Sequence, residues 1–197
     1  MSIRSSDRKS DMKHSTFVAF DVETPNYANN RMSSLGISVV EYGSVTEEFY
    51  SLIDPQTHFD SFNIRLTGIS PALVRGQPDF GALWERIEPL MSRGILVSHN
   101  ASFDMGVLSH CLQAYGIDWK QYAPYVCTCV MGRACYPELE HHKLDTMCSY
   151  LNISLEHHNA GSDARACAQL LLNYLQQGLN VDRYLRRYDF DSRRTLR

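Results

Sequence analysis

The chain has 197 residues, 44% of them hydrophobic, and a formal net charge of −3. That length suits one domain with a sizeable core, and no apolar run is long enough to cross a bilayer. The slight acidity excludes a protein that grips long duplex DNA through a global positive field, though not one that holds a few nucleotides through bound cations.

Residues 1–14 are polar and mixed in charge and lack the apolar stretch of a signal peptide, so a flexible leader and a cytoplasmic location are expected, with no membrane partner. The folded domain is expected over residues 15–178. Thr16–Val22 reads as a buried strand. A polar loop over Asn26–Ser34 leads to Leu35–Tyr42 and Val45–Ile53, which Gly43-Ser44 joins as a hairpin. Asp54-Pro55 ends that strand. Pro55–Pro78 reads as mostly irregular, with a short helical candidate at Pro71–Arg75. Asp79 is placed to cap a helix through Met91, whose apolar stripe is Phe80, Leu83, Trp84, Ile87 and Leu90; Pro89 should disturb its last turn.

Ile95–Ser98 is a short buried strand. Ser102–Tyr115 is helical and Gly116 fits its C-terminal cap. Tyr125–Cys127 reads as the last strand, followed by helices to Cys135, over Leu144–Leu151 and over Ala160–Gln177. Gln169–Leu175 faintly resembles a sliding-clamp peptide, but leucines inside a long helix are better explained by core packing. Residues 179–197 form an arginine-rich tail: from Asp182 onward, six arginines face three aspartates. It is expected to be a solvated, partly frayed terminus, the alternative being an arm that contacts a nucleic-acid backbone. Strands first, then helices around a further strand, predict an α/β fold: a mixed central sheet, antiparallel in its first strands, with helices on both faces.

Five residues carry the chemistry. Asp21 and Glu23 end the first strand, and side chains two apart on a strand share a face. Two carboxylates side by side repel unless a cation neutralises them, and hard oxygen ligands suit Mg²⁺ or Mn²⁺. Asp-x-Glu alone arises by chance about once in a chain this long; its place at the end of Phe-Val-Ala-Phe is what makes it informative. Asp104, in His99-Asn100-Ala101-Ser102-Phe103-Asp104, is a third carboxylate or simply an acid favoured at a helix N-terminus. Asn100 and His99 orient that loop, unless His99 is only packed. His158 and Asp163 bracket the entry to the last helix. A histidine near its ordinary pKa accepts a proton from water at neutral pH, and the small Ala160 and Gly161 leave room for a substrate. His157 is adjacent, but the spacing to Asp163 selects His158.

Six cysteines, with no export signal, are expected as reduced thiols. Cys127, Cys129 and Cys135 lie near His141 and His142, which raises a zinc site, yet the usual Cys-x-x-Cys knuckle is missing.

Together these motifs resemble the DEDD-h 3′–5′ exonucleases, the family of the proofreading ε subunit of bacterial DNA polymerase III. The matching residues are Asp21-x-Glu23-Thr24, then His99-Asn100 with Phe103-Asp104, then His158-x-Ala160-x-x-Asp163. Thr67-Gly68-Ile69 and Pro78 resemble the family's intervening segment. The resemblance covers Thr16 to about Gln177. It implies an RNase H-like exonuclease fold and a two-metal mechanism, with two Mg²⁺ or Mn²⁺ about 4 Å apart. Asp21, Glu23 and Asp163 would hold one ion, Asp21 would bridge to the second, and Asp104 would act mostly through water around the ions. His158 would deprotonate the attacking water, and nucleoside 5′-monophosphates would be released. Thr24 would meet the terminal 3′-hydroxyl, and Leu66, Ile69 and Phe103 would stack on or wedge the last bases, with Asn100 nearby. The implied substrate is single-stranded DNA or frayed 3′ ends. RNA remains an alternative, as does a non-catalytic nucleic-acid-binding module, and a replicative polymerase or a repair complex is the partner the resemblance admits. After Thr24 this chain departs from the family's small turn: Pro25–Arg31 is a longer polar loop.

Overall fold

The computed structural model describes residues 15–196, so the leader expected at residues 1–14 lies outside the described residues. β1 (Phe17–Glu23) is apolar on both faces: Val18, Phe20 and Val22 enter one core, Phe17 and Ala19 the other. A strand buried on both sides is placed centrally in a sheet covered on two faces. β1 pairs antiparallel with β2 (Ser34–Glu41), which pairs antiparallel with β3 (Ser44–Leu52). On its other side β1 pairs parallel with β4 (Ile95–Ser98), and β4 with β5 (Tyr122–Cys127). Two further strands, β6 (Arg186–Asp189) and β7 (Arg194–Leu196), complete a seven-stranded sheet of order β3-β2-β1-β4-β5-β6-β7.

α1 (Ser61–Thr67) comes between β3 and the capped helix α2 (Phe80–Met91). With α3 (Ser102–Ala114), α2 packs the core on one face of the sheet. α4 (Thr128–Cys135), α5 (Leu144–Leu151) and α6 (Ala160–Gln176) pack the other. The mixed sheet with helices on both faces is therefore as expected. Leu170 and Leu171 of α6 are fully buried, as core packing requires.

Four readings of single elements need correction. Pro71–Arg75 is a run of turns, and the helix of that region is α1 instead. α1 has no apolar stripe to announce it: Asn63 is its one buried residue. Pro89 leaves the end of α2 intact, since Ser92 N–H still donates to Glu88 O at 2.9 Å; near a helix end a missing N–H removes a single bond. β5 begins at Tyr122, before a proline at 124 that sequence patterns treat as a strand breaker, and it is not the last strand. The arginine-rich segment is not a solvated tail as far as it is described. Its arginines face outward while Tyr188 packs on Tyr125 and Phe190 on Trp119. No described helix is long and apolar enough to cross a membrane.

Candidate active site

The site forms where β1 outruns its parallel neighbour. The β1–β4 pairing ends at Ala19–Val97. Beyond it, side chains replace the ladder: Ser98 Oγ donates to Phe20 O at 2.8 Å, and Val22 N–H donates to Asp104 Oδ1 at 3.3 Å. Asp104 sits in the first turn of α3, buried, so it is not merely a solvent-facing acid at a helix start. On the other side, Asp21 lies opposite Gly36 of β2. A Cβ at Gly36 would come within 2.0 Å of Ala160 O, so only glycine lets the start of α6 rest directly on the sheet. Ala160 is itself fully buried there. The small residues at this helix entry serve close packing against the sheet rather than room for a substrate, and that packing delivers Asp163 to Asp21.

Oxygen atoms of Asp21, Glu23 and Asp163 lie within 4.8 Å of one another. Burial raises the pKa of all three and of Asp104, and repulsion adds to it at three of the four: Asp21 feels Asp104, Glu23 and Asp163, Asp104 feels Glu23 and Asp163, and Glu23 is pushed up to about 8 by burial and then by Asp163, whereas at Asp163 the neighbouring histidines partly offset burial. A buried cluster of this kind binds either protons or a cation. Asp163 Oδ1 is buried and has no hydrogen-bond partner, which leaves an oxygen free to ligate. The donor set, all carboxylate oxygen, suits a hard divalent cation.

The histidines divide their contacts differently from expectation. His157 Nδ1 lies 3.0 Å from Asp163 Oδ2, so the neighbouring ring reaches the carboxylate. His158 meets the same oxygen through its backbone N–H, at 3.1 Å, from a backbone with φ of 68°. The two rings stack at 4.0 Å. Burial lowers the His158 pKa and His157 lowers it further, so its ring is neutral at neutral pH. His99 is a packed residue: its two nitrogens bond Thr128 Oγ1 and His142 O, and burial pushes its pKa down to about 4.

Of the expected substrate contacts, Leu66 and Phe103 are 40% and 38% exposed, whereas Ile69 is only 4% exposed and offers little surface to a base. Asn100 is exposed, with φ of 66° at the turn into α3. Thr24 is buried and engaged: its hydroxyl donates to Asn29 Oδ1 and accepts from Asn63 Nδ2. Sequence reasoning passed over Tyr27 and Phe62, an exposed stacked pair beside Thr24. The bracket of Asp60 and Gly68 around residues 61–67, an N-cap residue and a left-handed C-cap, was the available signal. The cysteines are free, and Cys127, Cys129, Cys135, His141 and His142 do not gather into a metal-binding group among the described residues.

An RNase H-like sheet with four carboxylates, three buried and Asp21 half-buried, and a histidine gathered at the end of β1 defines a nuclease-type phosphodiesterase. The family model described as Exonuclease, of the RNase T group, matches residues 18–171. The chain belongs to this exonuclease family, and its motifs place it with the DEDD-h 3′–5′ exonucleases. PolC-type DNA polymerase III of Halalkalibacterium halodurans is 34% identical over 171 residues, 85% of this chain. The chain spans about 12% of that relative's length. Among solved structures, the zinc-bound complex of Escherichia coli ExoI with single-stranded DNA aligns with a TM-score of 0.75 at 21% identity, over 86% of this chain and 42% of the other. A 3′-exonuclease described as recognising the 3′ end of a histone mRNA stem-loop aligns with a TM-score of 0.75 at 16% identity, over 93% and 90%.

Proposed function

We propose that this exonuclease releases nucleoside 5′-monophosphates from single-stranded or frayed 3′ ends of DNA by two-cation hydrolysis. The observation that carries the reading is the convergence of Asp21, Glu23 and Asp163, with Asp104 beside them and one buried oxygen of Asp163 unpartnered. Asp21, Glu23, Asp104 and Asp163 would hold the cations. Bound Mg²⁺ or Mn²⁺ would supply Lewis acidity to the phosphodiester and charge balance to the carboxylates. His158, kept neutral by burial, accepts the proton of the attacking water. The new bond joins that water's oxygen to phosphorus, the P–O3′ bond breaks, and the shortened strand leaves with a 3′-hydroxyl protonated from solvent. Leu66 and Phe103 have the exposed surface to meet the last bases, with Thr24 and Asn100 near the terminal sugar.

A structural neighbour described with an mRNA stem-loop supports an RNA substrate as the second reading. The polymerase-type relatives support work beside a replicative polymerase. A binding module without turnover is disfavoured because all five chemical positions are filled. End-labelled single-stranded DNA, duplex DNA and short RNA, incubated with Mg²⁺ or Mn²⁺, test the reading. Stepwise loss from the 3′ end is expected, fastest on single-stranded DNA, and Asp21→Ala should abolish it while the protein stays folded. Full activity in that variant would sink the mechanism.

A further inference from the structure

Tyr50 on the edge strand β3 stands beside the acidic site, 47% exposed and with no role so far. The strand register places it. Asp21 lies opposite Gly36, and Gly36 opposite Tyr50, so the two side chains share one face of the sheet with a bare glycine between them. Strands about 4.8 Å apart set their Cα atoms roughly 10 Å from each other. The entry to α6 fills that gap. Ala160 rests over Gly36, and a Cβ on Gly161 would stand 3.2 Å from the Tyr50 ring and 3.4 Å from the Tyr50 Cβ.

The far end of the ring reaches toward the carboxylates. Burial raises the Tyr50 pKa, the neighbouring Ser34 hydroxyl offsets part of that rise, and Glu23 and Glu156 add to it. Glu23 ends β1 on the sheet, and Glu156 lies on the loop before α6, so the ring is wedged between the two.

The loop that carries His158 is stiff within itself. Ser162 Oγ accepts the Glu156 N–H at 2.8 Å, Asn159 Oδ1 accepts the Gly161 and Ser162 N–H groups at 3.1 and 3.2 Å, and Asp163 accepts the His158 N–H. Among the described residues, the hydrogen bonds of 156–159 stay within 156–163. They fix the shape of the loop and not its place on the sheet. His158 also holds a φ of 68°, which a residue with a side chain keeps only when its surroundings impose it. Packing supplies that constraint, from Gly36 beneath Ala160 and from Tyr50 on the outer side of Gly161.

We propose that Tyr50 is a positioning residue: its ring seats the α6 entry loop so that the His158 ring meets the attacking water. The inference rests on the exonuclease reading with His158 as the base. The ring and Cβ make the contact, so an aromatic ring is required and the hydroxyl is not.

A double-mutant cycle tests this, at saturating Mn²⁺ and at a temperature where every variant is folded. The readout is single-turnover hydrolysis of a 5′-labelled single-stranded oligonucleotide. Tyr50→Ala should slow it roughly 10- to 100-fold with little change in oligonucleotide or Mn²⁺ affinity, and Tyr50→Phe should stay close to the parent rate. In a His158→Ala background, Tyr50→Ala should cost nothing further, because a ring that acts through His158 has nothing left to seat. Losses that multiply overturn the proposal, and so do parental rates in Tyr50→Ala. A Tyr50→Phe variant as slow as Tyr50→Ala overturns it too, and would make the hydroxyl a contact to substrate. Amide hydrogen exchange needs no turnover. Residues 156–162 should exchange at least about tenfold faster in Tyr50→Ala than in the parent, with the strands β1 and β2 unchanged. Absence of turnover by the parent overturns the exonuclease reading instead, and the exchange result still decides whether Tyr50 seats the loop.

Discussion

Carboxyl groups crowded into a buried pocket titrate late, and this site shows it at Glu23. Its pKa stands at about 8 against an ordinary 4.5, because burial and Asp163 both disfavour its charge. The folded chain therefore holds a proton that the unfolded chain has released anywhere between those two values. With cations chelated, stability should be fully present below about pH 4.5, fall as pH rises through the window and level off near pH 8. One such group contributes a slope of up to about 1.4 kcal/mol per pH unit. Melting temperature against pH in EDTA reads this. Glu23→Gln should flatten the slope, and Mn²⁺ should remove it in the parent, because the cation replaces the protons. The histidine pair gives a second residue-level prediction. His158→Ala should slow hydrolysis roughly 10²- to 10⁴-fold with cation affinity largely kept, and His157→Ala far less. Titration of Mn²⁺ binding beside single-turnover rates checks both. Collapse of cation affinity in His158→Ala would make it a ligand and not the base. The motif spacing selects His158, the residue five before Asp163. It had no means of showing that the His157 ring is the one against the carboxylate, since that depends on a backbone turn with positive φ at His158.

The site depends on two elements meeting where neither sequence alone requires it. β2 carries Gly36 opposite Asp21, and α6 begins with Ala160 pressed on it. Gly36→Ala should push the α6 entry off the sheet, costing about 1–3 kcal/mol of stability. Because Asp163 and His158 ride on that entry, activity should fall by more than the stability change explains. Comparing kcat and cation affinity with thermal unfolding on one preparation separates the two losses; parental activity in a stably folded variant would show the contact to be dispensable. At this scale, strands and long helices were legible because apolar periodicity is local. The hairpin of β2 and β3, the short β4, and α2, α5 and α6 appear close to where the pattern puts them. α1 showed in the sequence only through its flanking Asp60 and Gly68, since its stabilisation comes from Asn63 and Asp60 bonding to a loop distant in sequence.

For the molecule as a whole, the sheet does not stop at β5. The β6–β7 ribbon pairs with it, covering Tyr125 and Trp119 and burying Tyr188. Ending the chain at Gly178 should therefore unfold or destabilise it, by at least about 3 kcal/mol for the lost burial of Val181 and Tyr188, a drop in Tm of roughly 10 °C. A solvated tail would come off with no change in Tm. The arginines disguised the ribbon because one face of an edge hairpin needs only two or three apolar anchors, too few to register as a strand pattern.

The amino-acid sequence by itself determined the family and the residue types on which the proposed chemistry rests. Residue types and their local spacing name the carboxylates and the histidine, and apolar periodicity names the elements that bear them. The tertiary structure alone decided how those groups meet. Gly36 admits α6, Asp104 bonds the free end of β1, His157 faces Asp163, and Tyr27 stacks on Phe62. Each of these is a contact between segments far apart in the chain. Local pattern carries no record of such contacts, because their free energy exists only once both partners are in place.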